Sequence, residues 1–255
     1  ALSDLEKKKY QLSIRILKYL YFQGPKAIAD ICNYLKVSTP NGNSILGILM
    51  SKGLIEKKGY GLSKGGRKPE LYGLKKDVFY VVSVDMNIHQ TQLSIFDSSN
   101  SRVTEIEAFA LEMDNEIHTL DKLLERIHNH IKKSGIDKQK IVGVGVSFPG
   151  LVDSSGGFNY SYFNFGDKPV RSILQEQLCL PVFVENDAKA VALAVWRFGI
   201  AQNQKDVLVL FLDWGIGLGM ILNGKLYRGN EGFAGEFSHI PMVENGDSCI
   251  CGKNG

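Results

Sequence analysis

Glu236 and His239, three residues apart, stand just ahead of a Cys-x-Cys-Gly-x-x-Gly run formed by Cys249, Cys251, Gly252 and Gly255. A carboxylate accepts hydrogen bonds from vicinal hydroxyls, so Glu236 suits a sugar. His239 and the thiolates of Cys249 and Cys251 make up the soft nitrogen and sulfur donor set that zinc prefers. These residue types point to a sugar pocket buttressed by a metal. A closed structural zinc site takes four protein ligands, and with three of them so near Gly255 the fourth is expected from residues beyond it, the chain being read as a fragment. The plainer alternatives are an ordinary core histidine and two buried thiols.

A second polar pair needs a strand to present it. Pro181–Glu185 has the apolar texture of a short strand and delivers Asn186 and Asp187 to the start of an alanine-rich helix running through Phe198. An aspartate there is placed to hydrogen-bond a sugar or to accept a hydroxyl proton, and either residue also suits a simple helix cap. Upstream, Val81–Asp85, Gln92–Asp97 and Val103–Glu107 read as three strands. A helix over residues 116–134 follows, with Ile117, Leu120, Leu123, Leu124, Ile127 and Ile131 as its buried face, and then a strand from Ile141 ends at Phe148-Pro149-Gly150. Strands, helix and strand in that order predict an α/β domain with a mixed sheet. Downstream, residues 207–227 read as strand, glycine turn and strand, closed by Asn223-Gly224. The glycines suit a phosphate cradle or simple hairpin geometry.

Charge separates this domain from what precedes it. Residues 1–76 carry 15 Lys/Arg against 5 Asp/Glu, whereas residues 77–255 carry 15 against 22. A basic module joined to an acidic domain suggests nucleic acid as a partner. Apolar spacing predicts helices over residues 11–22 and 26–35, and a third from Ser38 or Thr39 to about Lys52, with Pro40 in its first turn. Two short strands, Leu54–Glu56 and Leu71–Leu74, flank a glycine-rich basic tip. That layout is a winged helix-turn-helix. Its third helix would offer Thr39, Asn41, Asn43 and Ser44 to base edges, and its wing would offer Lys64, Arg67 and Lys68 to phosphates or a minor groove. A small helical domain that binds protein is the alternative.

No apolar run is long enough to span a bilayer, and the lysine-rich N-terminus lacks a secretory pattern. Four unevenly spaced cysteines do not make a disulfide framework. A cytoplasmic location is expected.

Taken together, Pro69 after the basic tip, Pro149-Gly150, Glu185-Asn186-Asp187-Ala188, Gly215-Ile216-Gly217, Gly235–His239 and the final cysteine run resemble the ROK family (repressors, open reading frames and kinases), in its transcriptional-regulator branch. The resemblance implies a two-lobed α/β domain of the actin-like ATPase (ribonuclease H-like) type over residues 77–255, incomplete at its C-terminus, behind a winged-helix DNA-binding domain over residues 1–76. It implies Gly150, Asn186, Asp187, Glu236 and His239 as sugar-binding residues. It also implies His239, Cys249 and Cys251 as ligands of a structural zinc, and Asp187 as the general base if the chain is a kinase.

Two departures from the family pattern bear on catalysis. The Asp-x-Gly-Gly-Thr turn of the kinases is Asp85-Met86-Asn87-Ile88-His89 here, and the Gly-Thr that opens the second phosphate turn is Asp213-Trp214. Bulk and negative charge stand where phosphate should sit. ATP binding is therefore not expected. The reading is a sugar-responsive repressor, not an enzyme, acting as a homodimer or higher oligomer on a DNA operator, with a sugar or sugar phosphate as effector. The alternative is an ATP-dependent sugar kinase with an added DNA-binding module.

Overall fold

Leu12, Ile16 and Leu20 recur every four residues, the spacing that puts side chains on one helix face. In a computed structural model, which describes residues 3–62, 68–213, 215–243, 245–248 and 252–254 (the Leu5 side chain apart), all three are buried on α1 (Asp4–Gln23). The helix starts at Asp4 rather than near residue 11 because Ser3 and Glu6 form a capping box. The Glu6 N–H donates to Ser3 Oγ at 3.3 Å, and the Ser3 N–H donates to Glu6 Oε2 at 2.8 Å. Next, Lys26 and Ala27 pair with Tyr72 and Leu71 as a short strand, β1 (Lys26–Ala27). The second helix, α2 (Ile28–Leu35), therefore begins later than residue 26. Then comes α3 (Thr39–Ser51), with Ser38 at its N-cap and Pro40 in its first turn. Strands β2 (Ile55–Tyr60) and β3 (Glu70–Leu74) complete an antiparallel sheet in the order β1-β3-β2. The intervening tip, with Lys64 and Arg67, lies outside the described residues.

By its contacts the chain divides into two compact units, residues 1–81 with 95–104 and residues 82–94 with 105–255. The first buries Ile16, Ile31, Ile45, Leu49, Ile55 and Leu74 in one apolar cluster. Gly42 of α3 is buried facing α2, where a Cβ would stand 2.4 Å from Cys32 Sγ and 3.2 Å from Ile28 Cδ1.

From residue 80 the chain builds a five-stranded sheet in the order β10-β7-β4-β5-β6. Its members in chain order are β4 (Tyr80–Met86), β5 (Thr91–Asp97), β6 (Glu107–Phe109), β7 (Ile141–Phe148) and, after two minor strands, β10 (Val182–Asn186). β10 runs parallel to β7 and β6 antiparallel to β5, which makes the sheet mixed. The third expected strand is displaced, since β6 begins only at Glu107. Thr104 Oγ1 accepts the Ile95 N–H at 3.0 Å, so a side chain takes the place of a ladder carbonyl there, and Val103 and Ile106 stay exposed.

Helix α4 (Ile117–Ser134) buries Leu120, Leu123, Leu124, Ile127 and Ile131 as expected, but Ile117 is 54% exposed. Thr119 is buried at that end of the helix and donates to Asp114 Oδ2 at 2.9 Å. Strands β8 (Val152–Asp153) and β9 (Phe158–Asn159) form a hairpin, α5 (Val170–Leu178) precedes β10, and α6 (Asp187–Arg197) follows it. Three further strands, β11 (Val207–Leu212), β12 (Ile216–Leu222) and β13 (Lys225–Leu226), form an antiparallel sheet. Asn223 and Gly224 both have positive φ between β12 and β13, as a two-residue type I′ turn requires. Gly217 and Gly219 let β12 approach α6, since a Cβ at either would lie 2.5 Å or less from Ala188 or Ala192 Cβ. Among the described residues no helix is long and apolar enough to cross a membrane.

Candidate functional site

The end of β10 and the first turn of α6 place Asn186 and Asp187 at the edge of a cleft of about 440 Å³. Asn186 does two things at once. Its Oδ1 accepts the Lys189 N–H at 3.2 Å, which caps α6, while its Nδ2 donates to the Gly150 carbonyl at 3.1 Å and to Asp187 Oδ1 at 2.9 Å. Asp187 Oδ1 also takes the Ala188 N–H at 2.7 Å, so a full complement of donors holds that oxygen in place. Among the described residues Asp187 Oδ2 accepts no hydrogen bond.

Gly150 lines the cleft with a φ of 85°, where a Cβ would come within 2.5 Å of Ser161 Cβ. Only glycine meets both demands without strain. The crowding comes from a loop set by buried Asn159. Its Oδ1 accepts the Ser161 and Tyr162 N–H groups at 2.9 and 3.1 Å, and its Nδ2 donates to the Pro149 carbonyl at 3.2 Å. Tyr162 is thereby held in the cleft wall. Sequence reasoning missed it; the signal was the Asx turn in Asn159-Tyr160-Ser161.

Glu236 and His239 reach the same cleft from the segment after β13. Gly235 is required just before them, because a Cβ there would collide with the Leu218 carbonyl at 2.0 Å. A short 3-10 turn over Phe237–His239 then sets the spacing of the two side chains. Lys189, also missed in the sequence, is 2% exposed beneath the cleft, with its Nζ 3.8 Å from Glu236 Oε1. All five residues expected to bind sugar thus line one cleft.

Burial raises the proton affinity of Asp187. The Ala188 N–H opposes that shift, and the neighbouring charges of Asp85 and Glu236 reinforce it. Glu236 is likewise raised by burial, against the pull of Lys189 and His239. Among the described lining residues there are the carboxylates of Asp187, Asp213 and Glu236 but no lysine or arginine. Such a wall can accept hydrogen bonds from hydroxyls and repels an anion.

The turn after β4 closes on itself. Asn87 Oδ1 accepts the His89 and Gln90 N–H groups at 2.9 and 2.8 Å, so those two amides are already engaged. Trp214 lies outside the described residues, as do Cys249 and Cys251. In the first unit, Thr39, Asn43 and Ser44 are exposed on the first turns of α3, Asn41 is half-buried beside them, and Lys68 is exposed ahead of β3.

The Xylose repressor of Bacillus spizizenii is 30% identical over 241 residues, 94% of this chain and 62% of that protein. A crystal structure described as a ROK family transcriptional regulator, homolog of E. coli MLC protein, superposes with a TM-score of 0.75 at 22% identity, over 98% of this chain and 63% of that one. A ROK family glucokinase from Streptomyces griseus, in complex with glucose and AMPPNP, gives 0.58 at 28% identity over 69% of this chain and 55% of that one. The chain therefore spans about 62% of the length of the repressor it matches. The mixed sheet with its helices has the actin-like fold of these proteins. Residues 81–255 match the ROK family itself, and with a relative 30% identical along nearly the whole chain, this protein belongs to the ROK family.

Proposed function

We propose that the chain is a sugar-responsive DNA-binding regulator, a repressor whose ROK domain binds an uncharged sugar and does not phosphorylate it. One observation carries this reading: Gly150, Asn186, Asp187, Glu236 and His239 converge on a single cleft whose described lining holds three carboxylates and no lysine or arginine. A hydroxyl-rich neutral ligand suits such a wall, and a sugar phosphate does not. The engaged amides after Asn87 and the carboxylate of Asp213 argue in the same way against ATP. A second reading, a sugar kinase, draws on Asp187, whose raised proton affinity would suit a general base.

Residues 1–76 act in this proposal as a winged helix-turn-helix. Thr39, Asn41, Asn43 and Ser44 read bases in the major groove, while Lys64, Arg67 and Lys68 meet phosphates. The exposure of Thr39, Asn43 and Ser44 on one end of α3 supports it. A homodimer would place two such modules on an operator of matching symmetry.

Because relatives are named as repressors for xylose and for N-acetylglucosamine and as a glucokinase, a thermal-shift panel should hold D-xylose, D-glucose, N-acetylglucosamine and their phosphates. A neutral sugar is expected to raise the melting temperature, since a ligand of the native state alone stabilises it. A shift given only by the phosphates would contradict the charge argument.

The donor set of His239, Cys249 and Cys251 fits zinc chemically, one imidazole and two thiolates. A bound zinc would hold the segment after Glu236 and leave the chemistry of the cleft to the protein's own side chains. Elemental analysis of the full-length protein, extended past Gly255, should find about one zinc per chain, lost in a Cys249→Ala, Cys251→Ala double variant. Folded, metal-free protein would remove the metal from the account.

A further inference from the structure

Glu185 does not line the cleft, yet every oxygen of its carboxylate is engaged. Oε1 accepts the Ser154 hydroxyl at 2.6 Å and the Asn186 N–H at 3.2 Å, and Oε2 accepts Arg228 Nε at 3.1 Å and Nη2 at 2.6 Å. These donors come from three different stretches of chain, and each stretch carries a wall of the cleft. Ser154 belongs to the β8–β9 hairpin, whose end at Asn159 sets Tyr162. Asn186 begins the Asn186-Asp187 pair itself. Arg228 opens the segment that brings Glu236 and His239, and its carbonyl accepts the Ala234 N–H at 3.0 Å.

Two further contacts tie the same segments together. Gly232 packs on the hairpin so closely that a Cβ would lie 3.2 Å from the Val152 carbonyl oxygen, and the Phe233 ring meets Tyr160 edge-on at 5.8 Å. The hairpin is itself stiffened by Arg171, whose guanidinium donates to the carbonyls of Ser154, Ser155 and Gly156. Two N–H groups of Arg228 converge on the single oxygen Oε2, a half-buried, charge-assisted contact that is directional, unlike an exposed lysine pair.

We propose that Glu185 is the positioning residue of the cleft, and that its junction with Arg228 and Ser154 locks the three ligand-bearing segments into one body. The inference rests on the sugar-binding reading for its consequence, but its geometry is independent of which sugar binds. Breaking the junction removes the hold of β10 on both the hairpin and the segment of residues 229–239, and leaves those two joined by the Gly232 and Phe233 contacts. A ligand that needs contacts from all three then loses affinity without losing any group it touches.

The test compares wild type with Glu185→Gln, Arg228→Gln, the double variant and the conservative Arg228→Lys. Hydrogen exchange is read without ligand, and D-xylose affinity by calorimetry. Glu185→Gln is expected to speed exchange over residues 154–162 and 229–239 together and to weaken D-xylose about 30-fold, within the range that losing an orienting partner behind a ligand-bearing group produces. The double variant should be no weaker than the worse single one, because both remove one junction. Arg228→Lys should recover part of the affinity, and a circular dichroism melt within a few degrees of wild type shows that the fold survives. Unchanged exchange in both Gln variants overturns the proposal, and so do additive losses in the double variant. If wild type binds no sugar of the panel, the sensing reading fails, while the exchange arm still decides the junction.

Discussion

Asp187→Asn is expected to reduce affinity for the cleft's sugar about 100-fold, the loss that follows when a charged acceptor of hydroxyl hydrogen bonds becomes neutral. Asparagine keeps the shape and the cap-side contacts near Ala188, so the effect reports the charge. The same change is expected to stabilise the unliganded protein at neutral pH. Burial, with Asp85 and Glu236 nearby, lifts the folded-state proton affinity of Asp187 above that of the unfolded chain. The native state therefore holds this proton more tightly, and keeping the group ionised above its raised folded value costs stability. That cost fades as pH falls through the raised value towards the ordinary carboxylate range, so the gap in melting temperature between Asp187→Asn and wild type should shrink on acidification. Sugar affinity of wild type should weaken over the same window, since protonation removes the acceptor. Melting curves and calorimetry at stepped pH measure both. A destabilised Asp187→Asn with wild-type affinity would mean that Asp187 serves the helix and not the ligand.

Gly42→Val is expected to cost the first unit about 3 kcal/mol and to reduce specific DNA binding to the non-specific level. Glycine inside a helix is unfavourable by about 1 kcal/mol relative to alanine, so its place in α3 needs a packing reason. That reason is α2, because a Cβ at Gly42 would stand 2.4 Å from Cys32 Sγ. Cys32 is buried, and Ile28, partly buried at its side, would stand 3.2 Å from the same Cβ. Valine would push α3 off α2 and with it the exposed Asn43 and Ser44. Circular dichroism melting and DNA anisotropy check the two effects, and a variant that keeps both stability and specific binding would place base recognition elsewhere.

How much of this could be read in the chain depended on whether the determining contacts were local. Leu12, Ile16 and Leu20 marked α1 through period alone, and Asn223-Gly224 marked its turn through backbone preference. The capping box of Ser3 and Glu6 was also written in the sequence, as Ser-x-x-Glu, and extends the helix well beyond its apolar stripe. Where a distant partner decided, periodicity misled. Lys26 and Ala27 read as helix until Tyr72 and Leu71 paired with them, and Val103 to Ile106 read as strand although the Thr104 side chain interrupts the ladder. The cleft divides in the same way. Asn186, Asp187, Glu236 and His239 were legible because they sit in compact motifs, whereas Lys189 and Tyr162 became visible only once α6 and the Asn159 loop were folded around them. Glu185 lay inside a recognised motif, yet its work depends on Ser154 and Arg228, which no local pattern links.

In the proposed regulator, ligand in the cleft changes DNA affinity without chemistry. By linkage, only a ligand that favours one of two states can do so, and the coupling appears as a ratio of DNA dissociation constants with and without it. The direct measurement is fluorescence anisotropy of an operator selected by the protein from a random DNA pool, titrated with and without the sugar that gives the largest thermal shift, at fixed salt. The account predicts a change in DNA affinity of about tenfold or more in wild type, within the usual range of allosteric coupling, and none in Asp187→Asn. DNA affinity indifferent to every sugar, alongside ATP-dependent phosphorylation of one of them that Asp187→Asn abolishes, would contradict it.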